Sequence, residues 1–239
     1  MKEPKILLYD IETMANLGWI WGKYEQNVIA YEKEMEILCF AYKWIGQKEI
    51  HCITKQGKKN DKSVVGALHA LLERADVIIA HNGNQFDLKK ARTRFAFYNM
   101  PPTKFISTID TKLIAKRYFS FNSNSLDDLG EFLGLGRKVK HQGFDLWLGC
   151  MSDDSACWKT MIKYNKMDVR LLEKIYTRFR PYIQNHPNLA ILGGNGGKCP
   201  NCGSSLVHKK GIRINSKTKQ QQWQCQDCAS WYLTAYRKT

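Results

Sequence analysis

Asp10 and Glu12 form an Asp-x-Glu pair that comes directly after an apolar run at residues 6–8. Such a run predicts a buried strand, and side chains two positions apart in a strand lie on the same face of the sheet. Two carboxylates placed in this way repel each other and are costly to bury unless a cation lies between them. The pair therefore predicts a divalent metal site at the edge of a sheet.

Two more acidic residues extend this pattern. Asp87 follows the strand-like run at residues 75–82 and begins a segment with helical character. Asp168 lies in a segment whose apolar residues recur at helical spacing, and Tyr164 precedes it by four positions, so both share one helix face. Oxygen atoms are the ligands that suit Mg²⁺ or Mn²⁺. Three distant segments can therefore deliver oxygen ligands to one place.

Each of these residues has a simpler interpretation when it is taken alone. An Asp-x-Glu pair at a strand end is more often solvated or paired with a basic residue. Tyr164 could be a half-buried core residue, and Asp168 an exposed charge. The complete ordered set favours the metal site.

The elements that must position these residues follow from periodicity and turn residues. Strands are predicted at residues 5–12, 28–31, 36–45, 48–54, 76–81 and 105–109. Helices are predicted at residues 62–74, after Asp87, and at 111–118, 125–133 and 155–179. Strands followed by alternating helices and strands indicate an α/β layered fold.

The three acidic motifs resemble, in order and local structure, the DEDDy class of 3′→5′ exonucleases in the DnaQ-like, RNase H-fold superfamily. The sister class carries a histidine five positions before the last aspartate, where this chain has Lys163. The segments HNGNQFD, STIDTKLIAKRYF and NSLDDLGEFLGLGRK also resemble the proofreading domains of family-B polymerases. The resemblance covers about residues 1–180 and implies an RNase H-like mixed β-sheet flanked by helices, in a domain at residues 1–185.

The resemblance also implies a mechanism and its cofactors. Two Mg²⁺ or Mn²⁺ ions would be held by four carboxylates and a substrate phosphate, one ion activating a water and the other stabilising the leaving 3′ oxygen. The implied ligands are Asp10, Glu12, Asp87 and Asp168. Tyr164 would orient the attacking water, because a phenol with a pKa near ~10 is a poor base at neutral pH.

Candidates for contacting the terminal nucleotide lie beside the first two motifs: Trp19, Trp21, His81, Asn82, Asn84 and Phe86. Phe86 could wedge beneath the nucleotide or face the core, since an apolar residue at a strand-to-helix junction usually does the latter. Trp19 and Trp21 could stack on bases, or they could be core or hairpin residues.

The charge balance predicts an anionic partner. The chain has 37 Lys and Arg residues against 22 Asp and Glu residues, a formal net charge of +15. A basic chain of this kind favours nucleic acid, and the resemblance points to DNA. Basic clusters at residues 55–62, 89–94 and 137–141 are candidate phosphate contacts, although any single cluster could be a solvated face.

The sequence predicts neither a membrane span nor a secretory signal. Long apolar runs are absent, and the start of the chain has too short an apolar run and too many acidic residues for a signal peptide. We therefore expect a cytoplasmic protein, in a bacterial cell or a virus-infected host cell, with no membrane partner.

The C-terminal segment contains two Cys-x-x-Cys pairs, Cys199 with Cys202 and Cys225 with Cys228. Each pair can offer two thiolates to a tetrahedral Zn²⁺. The 22 residues between the pairs, 203–224, slightly exceed the usual ~15–20, which a longer hairpin would absorb. Disulfides are disfavoured inside cells, and a redox pair would not need a second copy. The contexts CPNCG and WQCQDC resemble zinc ribbons.

The sequence thus predicts one structural Zn²⁺ in a small domain at residues 198–239, joined by a glycine-rich linker at 186–197. The other cysteines lack ligand spacing and are predicted to be buried or free thiols: Cys39, Cys52, Cys150 and Cys157. Residues 191–239 contain eight basic residues and one acidic residue, with four aromatic residues nearby. This composition predicts a module that holds nucleic acid, and the alternative is a cap that stabilises the first domain.

The main functional hypothesis is a metal-dependent 3′→5′ exonuclease that hydrolyses DNA and releases nucleoside monophosphates, in DNA repair or replication or in a phage. A ribonuclease or a structure-selective DNA nuclease is the alternative enzyme. A catalytically silent nucleic-acid-binding adaptor is the non-enzymatic alternative, against which the clustered carboxylates argue.

Overall fold

The computed structural model describes residues 3–24, 27–55, 57 and 59–236. Three basic residues counted in the predictions above lie outside these ranges: Lys58, Arg237 and Lys238.

A five-stranded mixed sheet forms the centre of the first domain. Its strands and those of a neighbouring hairpin are β1 (Ile6–Thr13), β2 (Leu17–Trp19), β3 (Ala30–Lys33), β4 (Ile37–Trp44), β5 (His51–Thr54), β6 (Val77–Ala80) and β7 (Ser107–Asp110). The sheet has the order β5-β4-β1-β6-β7, and β2 pairs with β3 alone. β4 runs antiparallel to β1 and β5, whereas β6 runs parallel to β1 and β7. The central position of β1 places its acidic residues at the middle of the sheet.

Helices cover both faces of the sheet. They are α1 (Lys62–Arg74), α2 (Asp87–Phe97), α3 (Thr111–Tyr118), α4 (Leu126–Phe132), α5 (Asp145–Met151), α6 (Ser155–Phe179) and α7 (Leu189–Leu192). Leu7 and Leu8 are neighbours in β1 and point to opposite faces. Leu7 packs in the cluster that contains α1 and α2, and Leu8 packs in the cluster that contains α6. The predicted α/β class, with helices flanking a mixed sheet, is confirmed.

Short polar side chains fix the start of several helices. Asp110 accepts hydrogen bonds from the backbone N–H groups of Lys112 and Leu113, and Asp154 accepts one from Cys157. These contacts satisfy donors that have no partner inside the helix. They fix where α3 and α6 begin, and therefore where Asp168 lies relative to β1.

Two elements beside the first motif were not predicted. The strand β2 has only three residues, and the helix α5 has seven, too few in each case for a clear periodic pattern. The strand predicted at 28–31 begins and ends two residues later, at 30–33. Among the described residues, none of the helices combines the length and the apolar character that crossing a bilayer requires.

The C-terminal segment folds as an antiparallel three-stranded sheet, β8 (Val207–Ile214), β9 (Lys219–Cys225) and β10 (Trp231–Ala235), in the order β10-β9-β8. The long β8–β9 hairpin accounts for the spacing between the two cysteine pairs. The segment predicted as a linker contains α7, whose Leu189 and Ala190 are buried. The boundaries 1–185, 186–197 and 198–239 stay predictions, and three residues of the segment predicted as the linker are buried: His186, Leu189 and Ala190.

Candidate active site

Three of the predicted acidic residues meet where β1 passes α6. Asp10 and Glu12 lie on β1 and Asp168 lies on α6, and each offers a carboxylate oxygen within 4.8 Å of the others. Residues far apart in the sequence are therefore combined into one acidic cluster. Oxygen ligands at this spacing suit a divalent cation.

Asp87 borders the same cluster from a different element. It is the first residue of α2, it is buried, and its Oδ1 accepts a hydrogen bond of 3.1 Å from the backbone N–H of Ile11. Ile11 lies between Asp10 and Glu12, so this bond holds Asp87 against the strand that carries them. Asp87 is outside the group of oxygens within 4.8 Å of one another.

Burial makes all four carboxylates reluctant to ionise. It is the largest cause of a raised pKa in each, to about 8 for Glu12 and about 7 for Asp87. For Asp10, the charges of Asp87, Glu12 and Asp168 raise the pKa further. For Asp168, burial outweighs an opposing cationic neighbour. Such a site needs additional positive charge to hold its carboxylates in the ionised form.

Lys138 supplies part of that charge. Its Nζ lies 2.6 Å from Asp168 Oδ2 and donates a 2.8 Å hydrogen bond to the hydroxyl of Tyr164. Burial lowers the pKa of Lys138, but Asp168 and Tyr164 together raise it above its usual value. From the sequence, Lys138 was predicted only as a member of the basic cluster at 137–141. Its neighbour Arg137 forms ion pairs with Asp127 and Glu131.

The other oxygen of Asp168 supports a cation site. Asp168 Oδ1 is buried and has no hydrogen-bond partner among the described residues. An unpartnered buried carboxylate oxygen is costly, and a metal ion would satisfy it. Three acidic side chains with carboxylate oxygens close together, one of them with a buried oxygen unpartnered, fit a divalent ion.

Asn165 orients the first carboxylate. Its side-chain Nδ2 donates to Asp10 Oδ2 at 2.7 Å and to the Asp10 carbonyl at 3.2 Å, and its side chain is fully buried. Asn165 is not among the site residues predicted from the sequence. The available signal was its position three residues before Asp168, on the same face of the helix.

Tyr164 is held at the cluster by aromatic neighbours as well as by Lys138. The rings of His141 and Trp147 meet the Tyr164 ring edge to face, with centroids 5.0 and 6.1 Å away. Burial, followed by the charge of Asp168, raises the pKa of the Tyr164 phenol above its usual range. Its hydroxyl is therefore protonated at neutral pH.

The loop before α2 is held by Asp110. Asp110 accepts hydrogen bonds from the backbone N–H groups of Asn82 and Asn84, at 2.9 and 3.2 Å. Asn82 adopts a positive φ of 66°, a conformation that asparagine tolerates better than most residues. Asp110 is not among the residues predicted from the sequence to shape this loop. The side-chain amides of Asn82 and Asn84 stay candidates for contacting a substrate.

His81 makes contacts within the protein through both ring nitrogens. Nδ1 lies 2.9 Å from Thr111 Oγ1, and Nε2 lies 3.0 Å from the carbonyl of Asn124. Burial lowers the pKa of His81 to about 4, so the ring is neutral at physiological pH. These contacts hold His81 in position at the start of the loop before α2. A direct contact of His81 with a nucleotide stays a prediction.

Comparison with known proteins agrees with this architecture. Residues 25–180, more than half of the chain, match the RNase_H_2 family of the RNase_H superfamily. The chain belongs to the RNase H superfamily. Among solved structures, the family B DNA polymerase of the hyperthermophilic archaeon Pyrobaculum calidifontis is similar, with a TM-score of 0.58 and 16% identity. The match covers 76% of this chain and 25% of the polymerase, about a quarter of its length. No functionally curated protein matches the sequence.

The aromatic candidates of this superfamily member lie at the surface. Phe86 is 38% exposed, with Lys90 Nζ 5.8 Å from the centre of its ring. Trp19 and Trp21 are 64% and 85% exposed, on and just after β2. The core alternative therefore does not apply to these three residues, and Trp19 belongs to the β2–β3 hairpin. Their contact with bases stays a prediction.

The other two basic clusters, at 55–62 and 89–94, also contain residues that are paired inside the fold. Arg94 is buried and donates to Asp61 through Nε at 2.9 Å and Nη2 at 2.5 Å. Lys55 is also buried, with its Nζ 2.5 Å from Glu36 Oε2. The interpretation of Arg94 and Lys55 as phosphate contacts is wrong, because each neutralises an acidic partner in the interior.

The four predicted zinc ligands form a second cluster. The sulfurs of Cys199, Cys202, Cys225 and Cys228 lie within 4.8 Å of one another. The distance is 3.6 Å from Cys199 to Cys228 and from Cys202 to Cys225. A disulfide would need ~2.05 Å. A tetrahedral Zn²⁺ with Zn–S bonds of ~2.3 Å has sulfur–sulfur edges of ~3.8 Å, close to this separation. The cluster is consistent with a zinc ribbon.

The remaining cysteines behave as predicted. Cys39 and Cys150 are buried, Cys52 and Cys157 are partly buried, and all four are free thiols.

Proposed function

We propose that this protein is a metal-dependent 3′→5′ exonuclease that hydrolyses DNA phosphodiester bonds and releases nucleoside monophosphates. Membership of the RNase H superfamily supports a nuclease. The observation that carries the proposal is the acidic cluster of half-buried Asp10 and Glu12 with buried Asp168, with Asp87 beside it and one oxygen of Asp168 unpartnered among the described residues.

The four carboxylates would hold two Mg²⁺ or Mn²⁺ ions, which supply a nucleophilic water and stabilise the leaving 3′ oxygen. The residues around them perform distinct tasks. Asn165 keeps the Asp10 carboxylate in one orientation through its 2.7 Å hydrogen bond. The Ile11 backbone does the same for Asp87. Ligands held in this way need little rearrangement when they bind a metal.

Tyr164 orients the attacking water rather than removing a proton from it. A tyrosine hydroxyl is protonated at neutral pH, and burial raises the pKa of this phenol further. It accepts a hydrogen bond from Lys138 at 2.8 Å, which leaves its own proton to donate to a water or a phosphate oxygen. Lys138 in turn fixes the positions of Tyr164 and Asp168 and places a positive charge where negative charge develops on the phosphate.

The preference for DNA and the 3′→5′ polarity rest on the resemblance to DEDDy exonucleases. A ribonuclease or a structure-selective nuclease stays the alternative, because carboxylates and Tyr164 do not distinguish the sugar. A catalytically silent adaptor is disfavoured because burial raises the pKa of all four carboxylates. Such carboxylates lower the stability of the folded protein, and an adaptor would make no use of them.

Digestion of end-labelled substrates tests the proposal. Single-stranded and duplex DNA, branched DNA and RNA, each labelled at the 5′ or the 3′ end, are incubated with Mg²⁺ or Mn²⁺. A 3′→5′ exonuclease releases the 3′ label at once as a mononucleotide and shortens the 5′-labelled strand progressively. Asp10→Asn and Asp168→Asn keep the side-chain volume, and we expect each to abolish hydrolysis while nucleic-acid binding persists.

Glu34→Gln is the matched control, because Glu34 is an exposed carboxylate remote in sequence from the three motifs. Its activity should equal that of the unsubstituted protein. Full cleavage by both Asp10→Asn and Asp168→Asn would contradict the proposed site. Inactivity of the unsubstituted protein on every substrate with both metals would favour the adaptor.

A further inference from the structure

A groove of about 610 Å³ lies between the C-terminal ribbon and the α/β domain. Gln184, His186 and Asn188 line it on the side of the α/β domain. Arg213 and Trp231 line it on the side of the ribbon. Its volume falls within the ~300–1,000 Å³ range of ligand pockets in proteins. Neither the acidic cluster nor the cysteine cluster accounts for it.

The two walls are joined by buried polar contacts. Asn201 of the ribbon donates through Nδ2 to the carbonyl of Ile183 at 3.1 Å and to that of Arg180 at 3.2 Å. The backbone N–H of Leu189 donates to the carbonyl of Pro200 at 2.7 Å. Asn201 and Leu189 are buried. The groove therefore has a defined shape.

The ribbon presents a coherent set of side chains to this groove. In the strand pairing, Gln222 lies opposite both Gly211 and Leu233. Arg213 is two residues from Gly211, and Trp231 is two residues from Leu233, so strand alternation puts Arg213, Gln222 and Trp231 on one face. Trp231 is 53% exposed, a large apolar surface that faces solvent and the groove.

The groove is positively charged. Lys198 and Arg213 line it, and no acidic residue is found among the described residues of its lining. Neither of these two cations forms an ion pair with a described acidic residue. Unpaired cations beside an exposed tryptophan and several amides match the phosphates and bases of a nucleic-acid strand.

The groove shares one residue with a second cleft, which borders the loop before α2. Ile183 lines the groove and a second cleft of about 270 Å³, which is lined also by Asn84, Asp110 and Arg117. Asn84 belongs to the loop before α2, three residues from Asp87. The two depressions thus share Ile183, and the second one borders the loop that precedes Asp87.

We propose that the groove binds a single-stranded segment of the nucleic-acid substrate, away from the bond that is cleaved. Arg213 and Lys198 contact its phosphates, and Trp231 stacks on an unpaired base. A duplex fits less well, because its bases are already stacked on one another and present no open face to Trp231. This inference rests on the proposed function, since it assumes that the substrate is a nucleic acid.

The test measures binding of fluorescent single-stranded oligodeoxynucleotides of increasing length by anisotropy, with the full chain carrying Asp10→Ala to prevent hydrolysis. The affinity for the oligonucleotide should increase with its length until the bound strand is long enough to reach the groove. Trp231→Ala should weaken binding of a long strand about 10-fold, as expected for one lost base stack. Arg213→Gln should lower the slope of log K against log salt by about 0.7, as expected for one lost phosphate contact.

Lys217→Gln and Ile214→Ala are the matched controls. Both residues are exposed and belong to the β8–β9 hairpin outside the lining of the groove. Neither change should reproduce the loss. Equal losses for Lys217→Gln and Arg213→Gln would show a diffuse basic surface and overturn the groove. Unchanged binding by Trp231→Ala and Arg213→Gln, or an effect confined to duplex DNA, would also overturn it.

The same variants separate the two proposals. If the unsubstituted protein degrades long single strands but Trp231→Ala and Arg213→Gln bind like their parent, only the groove is refuted. If the unsubstituted protein degrades no nucleic acid, the proposed function is refuted, whatever the groove variants do. Circular dichroism and zinc content of each variant show that it is folded.

Discussion

Replacing Asp87 by asparagine should stabilise the protein in buffer free of Mg²⁺ and Mn²⁺ while it removes activity. Asparagine keeps an oxygen that can accept the 3.1 Å hydrogen bond from Ile11. It removes one negative charge from a side chain that is 2% exposed. The substitution therefore tests the charge of the site separately from its packing.

The magnitude follows from the pKa of Asp87. Burial raises this pKa from 3.8 to about 7, a difference of about 3 units, and each unit corresponds to ~1.4 kcal/mol. Because the folded state holds the proton more tightly than the unfolded state, stability is greatest below the unfolded pKa and falls as the pH rises through the folded pKa. At pH 8 the ionised Asp87 costs at most about 4 kcal/mol, and at pH 4 it costs almost nothing.

Urea unfolding at pH 5 and pH 8 measures this effect. The unsubstituted protein should be less stable at pH 8, and Asp87→Asn should recover about 2–4 kcal/mol there but less than half of that at pH 5. Glu34→Gln is the control and should leave the difference between the two pH values unchanged. Equal stability of Asp87→Asn and the unsubstituted protein at pH 8 would refute the claim that a buried, uncompensated charge exists at this site.

Three further substitutions test the other parts of the structure. Lys138→Met removes the charged partner of buried Asp168, and we expect a loss of about 1.5–3 kcal/mol in urea unfolding at pH 7, together with a lower kcat. A kcat equal to that of the unsubstituted protein would exclude the positioning role. Asn165→Ala should weaken Mn²⁺ binding about 10- to 100-fold in titration calorimetry, because Asp10 loses its orienting hydrogen bond; unchanged affinity would make Asn165 a packing residue. Cys225→Ser should release zinc and expose the ribbon to proteolysis, measured by metal analysis and mass spectrometry, and a protease-resistant ribbon without metal would contradict the zinc site.

The elements that carry the site could be predicted because each has a strong local signal. The apolar run before Asp10 predicts a buried strand, and that run forms the beginning of β1. The apolar residues around Asp168 recur at helical spacing, and the predicted helix at 155–179 is observed with the same ends. Cys-x-x-Cys spacing likewise predicts a four-sulfur cluster without knowledge of the strands between the pairs.

The partners of the acidic residues could not be predicted because they depend on tertiary contacts. Lys138 lies between α4 and α5, 30 positions before Asp168, and no periodicity relates the two. Arg94 appears in the sequence as one member of a basic run, yet it pairs with Asp61, 33 positions earlier. Charge clusters in a sequence thus overstate the number of cations that are available to a substrate.

Charge balance connects these partners to the number of metal ions. Four ionised carboxylates and the ammonium of Lys138 carry a formal charge of −3. One divalent ion would leave the site at −1, and a phosphodiester would then enter against repulsion. Two divalent ions would change the charge to +1, which one phosphodiester neutralises. We therefore expect two ions to bind together with substrate. The second ion should bind more tightly when a non-hydrolysable phosphodiester is present, because the positive charge of the ion and the negative charge of the phosphodiester compensate each other. Titration of Mn²⁺ with and without such an analogue measures this coupling, and an equal affinity in both titrations would contradict it.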